Sequence, residues 1–388
     1  MLICSLDETS PGMTLAAPVS HPDQPGQYLL KRGYALEESV IARLRDLGVE
    51  AVYVDYPGLD DLDKHLAVQL SPERQNIYRQ IKETIRANER NAKPTVSYTD
   101  YYAGTRQLVL TLMSQGQNPI YLDQMSRMGD DAIGHATAVA HLSLLLGIKL
   151  ERYLIDQRHR LPPQHAREVV NLGVAGMLHD MGKLKLPDML RTHHGVNPPK
   201  NPSEAAEWEN HPRYSYELVH DGMEPSGASA VLHHHQHFDG SGFPVTQHRD
   251  GTSSRLEGQK IHVFARILLA ADLYDQLTIA ARGQKRRSNV EILHLMRTAY
   301  NGWVDPEVIR ILQAVCPPFP PGSMVQLSDG TSAVIVRVDG ARPYRPMVRR
   351  LGADGATLDD PINLSESGAP AIRSIGGTAI ESFLPAGV

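Results

Sequence analysis

Nine of the chain's 18 histidines fall between His179 and His237, in a region whose helical segments are apolar nearly all round. AREVVNLGVAGMLHDMG, GASAVLHHHQH and KIHVFARILLAADLYDQLT are examples. A helix without a polar face must be covered on every side. These segments therefore predict a sizeable helical bundle between roughly residues 120 and 316, with imidazoles and carboxylates carried into its core. Neutral imidazole is the commonest metal ligand, so the clustering calls for a metal explanation.

At 388 residues the chain is expected to hold more than one unit. Residues 1–62 read as an N-terminal α+β regulatory domain, with strands in PGMTLAAPV, QYLLKRG and VEAVYVD. Its helix, LEESVIARLRDLG, places Val40, Ile41, Leu44 and Leu47 on one face and stops at Gly48. Residues 63–125 read as a helical linker, in which Ile77, Ile81 and Ile85 recur at helical spacing. That face fits either packing on its own domain or a homodimer contact. Residues 126–316 form the main helical domain, within which the polar, Pro-rich THHGVNPPKNPSEAAEWEN is expected to be a surface loop near the site. Residues 317–388 alternate between Asp-Gly turns and read as a small β module. The expected fold class is mainly α: a helical bundle around a multinuclear metal site, flanked by a small α+β domain and a small β module.

A formal charge of −5 gives no overall basic field for gripping a nucleic-acid polymer. Cys4 and Cys316 are too few and too far apart for a disulfide framework or a CxxC zinc knuckle, which fits a reducing compartment. The N-terminus MLICSLDETSPG lacks the basic and apolar regions of a signal peptide, and no apolar run approaches the length of a membrane span. The expected location is the cytoplasm, with no membrane partner.

The strongest chemical signal is LHDMGK, where His179 and Asp180 close an apolar helix just before Gly182 and Lys183. Adjacent helical residues diverge by about 100°. His179 can then bind one ion while the Asp180 carboxylate bridges toward a second. Partners exist in His135, His211, the His234-His235 pair and Asp272, and such nitrogen and carboxylate donors converging from several helices are what a dinuclear site in a bundle requires. Asp131 lies one turn before His135 on the same face, where a ligand and a solvated helix-start acid are equally good readings.

The ordered series of His135, HDxGK, a His-Pro, HHxxxDGxGxP and an Ala-Asp inside a helix resembles the HD-GYP branch of the HD-domain phosphohydrolases, which hydrolyse cyclic di-GMP. It spans about residues 131–287, and PGMTLAAPV, LRDLGVEAVYVD and PPGSMVQLSDG also look like segments that accompany this family. The resemblance implies His135, His179, Asp180, His211, His234, His235 and Asp272 as metal ligands, Asp131 as a third-metal ligand, and Lys183 as the cation facing the scissile phosphate. It implies two or three divalent ions, iron or manganese ahead of zinc for a donor set without thiolate. Two ions roughly 3.5–4 Å apart would polarise a bridging water to hydroxide for in-line attack on phosphorus, with Asp180 in the catalytic set beside Lys183.

Substrate contacts are expected from Gly240, Gly242, Phe243 and Pro244 in FDGSGFP, and from Arg282 and Lys285 in AARGQKRRS, although a charged loop of the latter kind is usually just solvated. His193, His194, His233 and His237 fill no slot of the pattern and are expected at the surface or behind the ligands. Asp275 either orients a ligand or is a helix-surface charge. Three departures stand out: Phe243 in place of the name-giving Tyr, Gln236 in place of a Glu, and an Arg/Lys segment after Asp272 shifted by one residue. None removes a ligand. The favoured function is hydrolysis of a cyclic dinucleotide, cyclic di-GMP first, in bacterial signalling. The alternatives are a metal-loaded module that binds nucleotide or a signalling protein without turnover, and hydrolysis of linear dinucleotides or nucleoside phosphates.

Overall fold

The first strand is one that the hydropathy pattern does not single out, because its partner lies fifty residues away. In the computed structural model, which describes residues 1–6, 8–21, 27–49, 51–56, 72–88, 96–114, 121, 132–193, 195–247, 250–278, 286–352 and 357–385, the chain begins with β1 (Leu2–Ser5), β2 (Val19–Ser20), β3 (Tyr28–Leu30), α1 (Glu38–Asp46) and β4 (Ala51–Val54). β1 pairs antiparallel with β4, Leu2 opposite Val54. The expected strand in PGMTLAAPV is reduced to isolated bridges at Thr14 and Leu15 and to β2 at its end. α1 buries Ile41 and Leu44 as its periodicity predicts, and Gly48 beyond it adopts φ +78°, which a residue with a side chain rarely does.

The tail forms a six-stranded antiparallel sheet from β5 (Met324–Leu327), β6 (Ser332–Arg337), β7 (Met347–Leu351), β8 (Thr357–Asn363), β9 (Ile372–Ile375) and β10 (Thr378–Ala379), in the order β8-β7-β6-β5-β9-β10. The two ends of the chain share a core. Val334 and Val336 of β6 pack with Leu2, Cys4, Ile41, Leu44 and Val52, and the Ile3 amide donates to Gly322 O at 2.8 Å.

Between them lie α2 (Pro72–Asn88), α3 (Tyr98–Ser114), α4 (Ala132–Lys149), α5 (Glu151–Gln157), α6 (Val170–Leu178), α7 (Pro202–Trp208), α8 (His211–Val219), α9 (Pro225–His233), α10 (Val263–Thr278), α11 (Asn289–Arg297) and α12 (Pro306–Val315), numbering the helices of seven or more residues. Ile77 and Ile81 of α2 are buried in the same core as α3, α4 and α6, so this face is used within the chain. α4 is long and apolar enough to cross a membrane by composition, but 78% of that window is buried inside the protein, packed on α6 and α10. It is a core helix.

α10 is anchored by polar groups at its start. Buried Arg266 donates to Ile261 O, to Gln157 Oε1 and to the Asp305 carboxylate, which also accepts from Tyr153. His262 sits at the N-cap, its Nδ1 accepting from the Phe264 amide at 3.2 Å. Burial, then the nearby Arg158 and Arg266, push its pKa down from 6.5 to about 4. Only neutral imidazole can accept that bond, so the cap is fully present above pH 6.5 and is lost as pH falls toward 4. His262→Asn keeps a capping acceptor that does not titrate. Between pH 7 and 4.5 the wild type should lose on the order of 2 kcal/mol more unfolding free energy in urea than this variant. Equal losses in the two proteins would remove His262 from the acid response.

Candidate metal centre

Helix packing sets the first distance in the site. α4 and α6 cross where a Cβ added to Gly176 would lie 2.7 Å from Ala140 Cα, so only glycine permits this approach. His135 is five residues before that crossing and His179 three after its glycine, and their ring centroids end 5.2 Å apart.

The rings are fixed from behind. His179, His211 and His234 each place Nδ1 against the carbonyl three residues earlier, at Gly176 O (2.8 Å), Trp208 O (2.7 Å) and Val231 O (2.7 Å). These carbonyls lie in the last turns of α6, α7 and α9, where the helical oxygens have no amide partner within the helix. A carbonyl only accepts, so Nδ1 carries the proton and Nε2 presents its lone pair to the interior. Three helix C-termini thus converge on the site, and their dipoles favour cations. His135 lies in the first turn of α4, where carbonyls are already engaged, and its Nδ1 instead meets Asp275 Oδ2 at 2.7 Å.

Two groups of donors result: His211, His234 and His235, and His135, His179 and Asp180, each able to place its ligand atoms within 4.8 Å of one another. The carboxylates of Asp180 and Asp272 link the two groups. Asp180 sets Oδ2 3.7 Å and 3.6 Å from the Nε2 atoms of His135 and His179, and Oδ1 3.3 Å and 3.9 Å from those of His211 and His234. Asp272 sets Oδ1 3.2 Å from His135 Nε2 and Oδ2 4.0 Å from His235 Nδ1. The seven expected ligands therefore come together. Asp131, Arg282 and Lys285 lie outside the described residues.

The donor set suits divalent cations. His179 Nε2 is fully buried without a hydrogen-bond partner, and the Nε2 atoms of His211 and His234 face each other at 3.3 Å, an arrangement that a shared cation resolves. Burial holds His179, His234 and His235 below the ordinary imidazole pKa, hence neutral and ready to ligate. Burial also opposes a charge on His135, but its bonds to Asp272 and Asp275 outweigh it and raise the pKa to about 9, so this half of the centre attracts even a proton. Burial alone would raise the Asp180 pKa. Lys183, His179 and His211 overcome it and hold the carboxyl well below its usual range, with Lys183 Nζ 2.6 Å from Oδ2.

Trp208 is a site residue that the sequence pattern missed. It closes α7 inside the segment expected to be a surface loop, is fully buried, and packs against His211, His235 and Phe243 at centroid distances of 4.9, 5.5 and 5.6 Å. Its one signal is position: an aromatic three residues before a His-Pro.

Gly242 of FDGSGFP has a use within the chain itself. A Cβ on Gly242 would sit 2.1 Å from His235 O and 2.4 Å from His237 N, so its close approach is to the histidine segment itself. Phe243 N donates to His235 O, and Gln236 Nε2 donates to Pro244 O. The turn thereby lays the Phe243 ring on His235, stacked at 4.6 Å. Gly240 adopts φ +81° at the preceding bend. His237 is buried rather than superficial, stacked on Trp303 at 3.6 Å, while His193 is edge-on to Trp208.

The family model described as HD domain matches residues 154–308, a span that holds every gathered ligand except His135. A cyclic di-GMP phosphodiesterase of Pseudomonas aeruginosa, PA4108, is 28% identical over 217 residues, 55% of this chain and 46% of that protein. The cyclic di-GMP phosphodiesterase response regulator RpfG of Xanthomonas campestris is 36% identical over 121 residues, 30% of this chain and 29% of that protein. The chain thus spans less than half the length of these curated relatives. The solved structure of Bd1817, an HDG"Y"P protein from Bdellovibrio bacteriovorus, aligns over 80% of this chain and 97% of that one at 16% identity with a TM-score of 0.43.

The HDxGK glycine gives a direct test of this packing. Gly182 N donates to Ser215 Oγ at 2.7 Å, and a Cβ there would meet His211 O at 2.2 Å and Ser215 N at 2.3 Å, both backbone atoms. Gly182→Ala should cost at least about 1–3 kcal/mol by overpacking, read from the urea midpoint. It should also lower metal affinity by displacing His211. A variant as stable as the wild type would contradict this contact.

Proposed function

We propose, from the HD-domain match over residues 154–308 and the resemblance of the ligand series to the HD-GYP branch, that this chain is a metal-dependent phosphodiesterase acting on a cyclic dinucleotide, cyclic di-GMP first. The observation that carries the reading is the pair of carboxylates, Asp180 and Asp272, each offering one oxygen to each of two histidine groups. The relatives named for cyclic di-GMP hydrolysis favour the same substrate class.

In this reading His135, His179, His211, His234, His235, Asp180 and Asp272 hold two divalent ions, iron or manganese ahead of zinc for a set of nitrogen and oxygen donors. Ions held there supply Lewis acidity toward phosphoryl oxygens and lower the pKa of water. The chain's own groups do the rest. Lys183, at the rim with 14% of its side chain exposed, offers a cation to developing phosphate charge. Trp208 and Phe243 wall the histidines on one side and exclude water from them. Phe243 offers a ring face to a nucleobase but no hydroxyl, which removes one polar contact worth about 0.5–1.5 kcal/mol and leaves the metal chemistry untouched.

Protein purified without oxygen should carry at least two transition-metal ions per chain and hydrolyse cyclic di-GMP. Asp180→Asn should lose most of the metal. Lys183→Ala should keep it while turnover falls roughly 100-fold, and Phe243→Tyr should hydrolyse cyclic di-GMP as fast as the wild type or up to about tenfold faster. Metal-loaded wild type that binds cyclic di-GMP and cleaves no phosphodiester would establish the non-catalytic alternative instead. That alternative draws on Phe243 and on the Lys183 ammonium lying against Asp180.

A further inference from the structure

The two halves of the centre are supported unequally. On one side His211 and His234 are oriented by backbone carbonyls, which are neutral dipoles. On the other side His179 has the same support, but His135 is held by a carboxylate: Asp275 Oδ2 lies 2.7 Å from its Nδ1, and Asp275 is 1% exposed. Asp275 follows Asp272 by three residues on α10, one helical turn, so a single helix face offers one carboxylate to the interior of the site and a second to the back of one imidazole. Thr278 at the end of that helix donates its hydroxyl to Asp275 O, closing the turn that carries Asp275.

A carboxylate behind a ligating imidazole does two things that a carbonyl does less strongly. It fixes the ring and tautomer, and through its full charge it makes Nε2 a stronger donor. His135 Nε2 faces Asp272 Oδ1 and Asp180 Oδ2, the oxygens on the His179 side of both bridging carboxylates, whereas His235 Nδ1 is the ring atom nearest Asp272 Oδ2 on the other side. The charge of Asp275 is therefore delivered to one cation position and not shared with the other.

We infer that Asp275 is a positioning residue that sets the affinity of the metal position formed by His135, His179 and the bridging carboxylates, and that the two metal positions are consequently inequivalent. This rests on the metal-dependent reading above. The fold explains why the asymmetry falls on His135: it enters from the start of a helix, where a spare carbonyl is lacking, and α10 supplies the missing acceptor.

The test is Mn2+ titration of the metal-stripped chain, with free Mn2+ read by electron paramagnetic resonance. Wild type should bind in two classes. Asp275→Asn keeps the shape and one acceptor oxygen while removing the charge, and should weaken one class by 10–100-fold while moving the other less than twofold. Asp275→Glu should recover part of the loss, and far-ultraviolet circular dichroism should match wild type for both variants. Equal weakening of both classes, or none, overturns the inference while leaving the dinuclear reading intact. A wild type that binds no Mn2+ overturns both.

Discussion

Two carboxylates set among five buried imidazoles, Asp272 buried and Asp180 half-buried, are the constraint that the helical body is arranged to meet. Asp180 and Asp272 stay ionised although burial opposes it, because His135, His211 and Lys183 surround them with donors. Such a cluster would be costly in an apolar bundle unless cations completed it. The neighbouring structure is organised accordingly. Helix ends aim carbonyls at ring nitrogens, a glycine allows α4 and α6 to touch, and Gly182 lets the turn after Asp180 press against the start of α8.

That organisation ties local stability to function. The helices that orient the histidines are short, and α7 and α9 carry in their last turns the residues whose carbonyls hold the rings. Trp208 fills the space between His211, His235 and Phe243, so one aromatic side chain supports ligands on two helices and the turn beyond. α10 is the exception in length, and its polar anchorage through Arg266 and His262 fixes the rise of the helix on which Asp272 and Asp275 stand.

The N-terminal unit and the C-terminal sheet share a core. β1 and β6 contribute to one core, and α11, which follows α10 in the chain, touches the β module through Asn289 to Pro317 O and Arg297 to Phe383 O. The N-terminal unit thus rests on the C-terminal sheet, which in turn rests on α11.

The helical bundle, α1 and the alternating tail are legible in hydropathy period and turn residues, and the set of ligands is legible through the resemblance of the His and Asp series to the HD-GYP pattern. Tertiary structure alone decided which oxygen faces which histidine, that Asp275 rather than a carbonyl backs His135, and that Trp208 belongs to the site. It also decided that Gly242 serves the histidine segment and that the two termini share a core. The physical reason is range. Periodicity reports which face of an element is buried, because that depends on near neighbours in the chain. A contact between Gly176 and Ala140, or between Asp275 and His135, is fixed by how helices far apart in sequence cross, and no local pattern encodes that crossing.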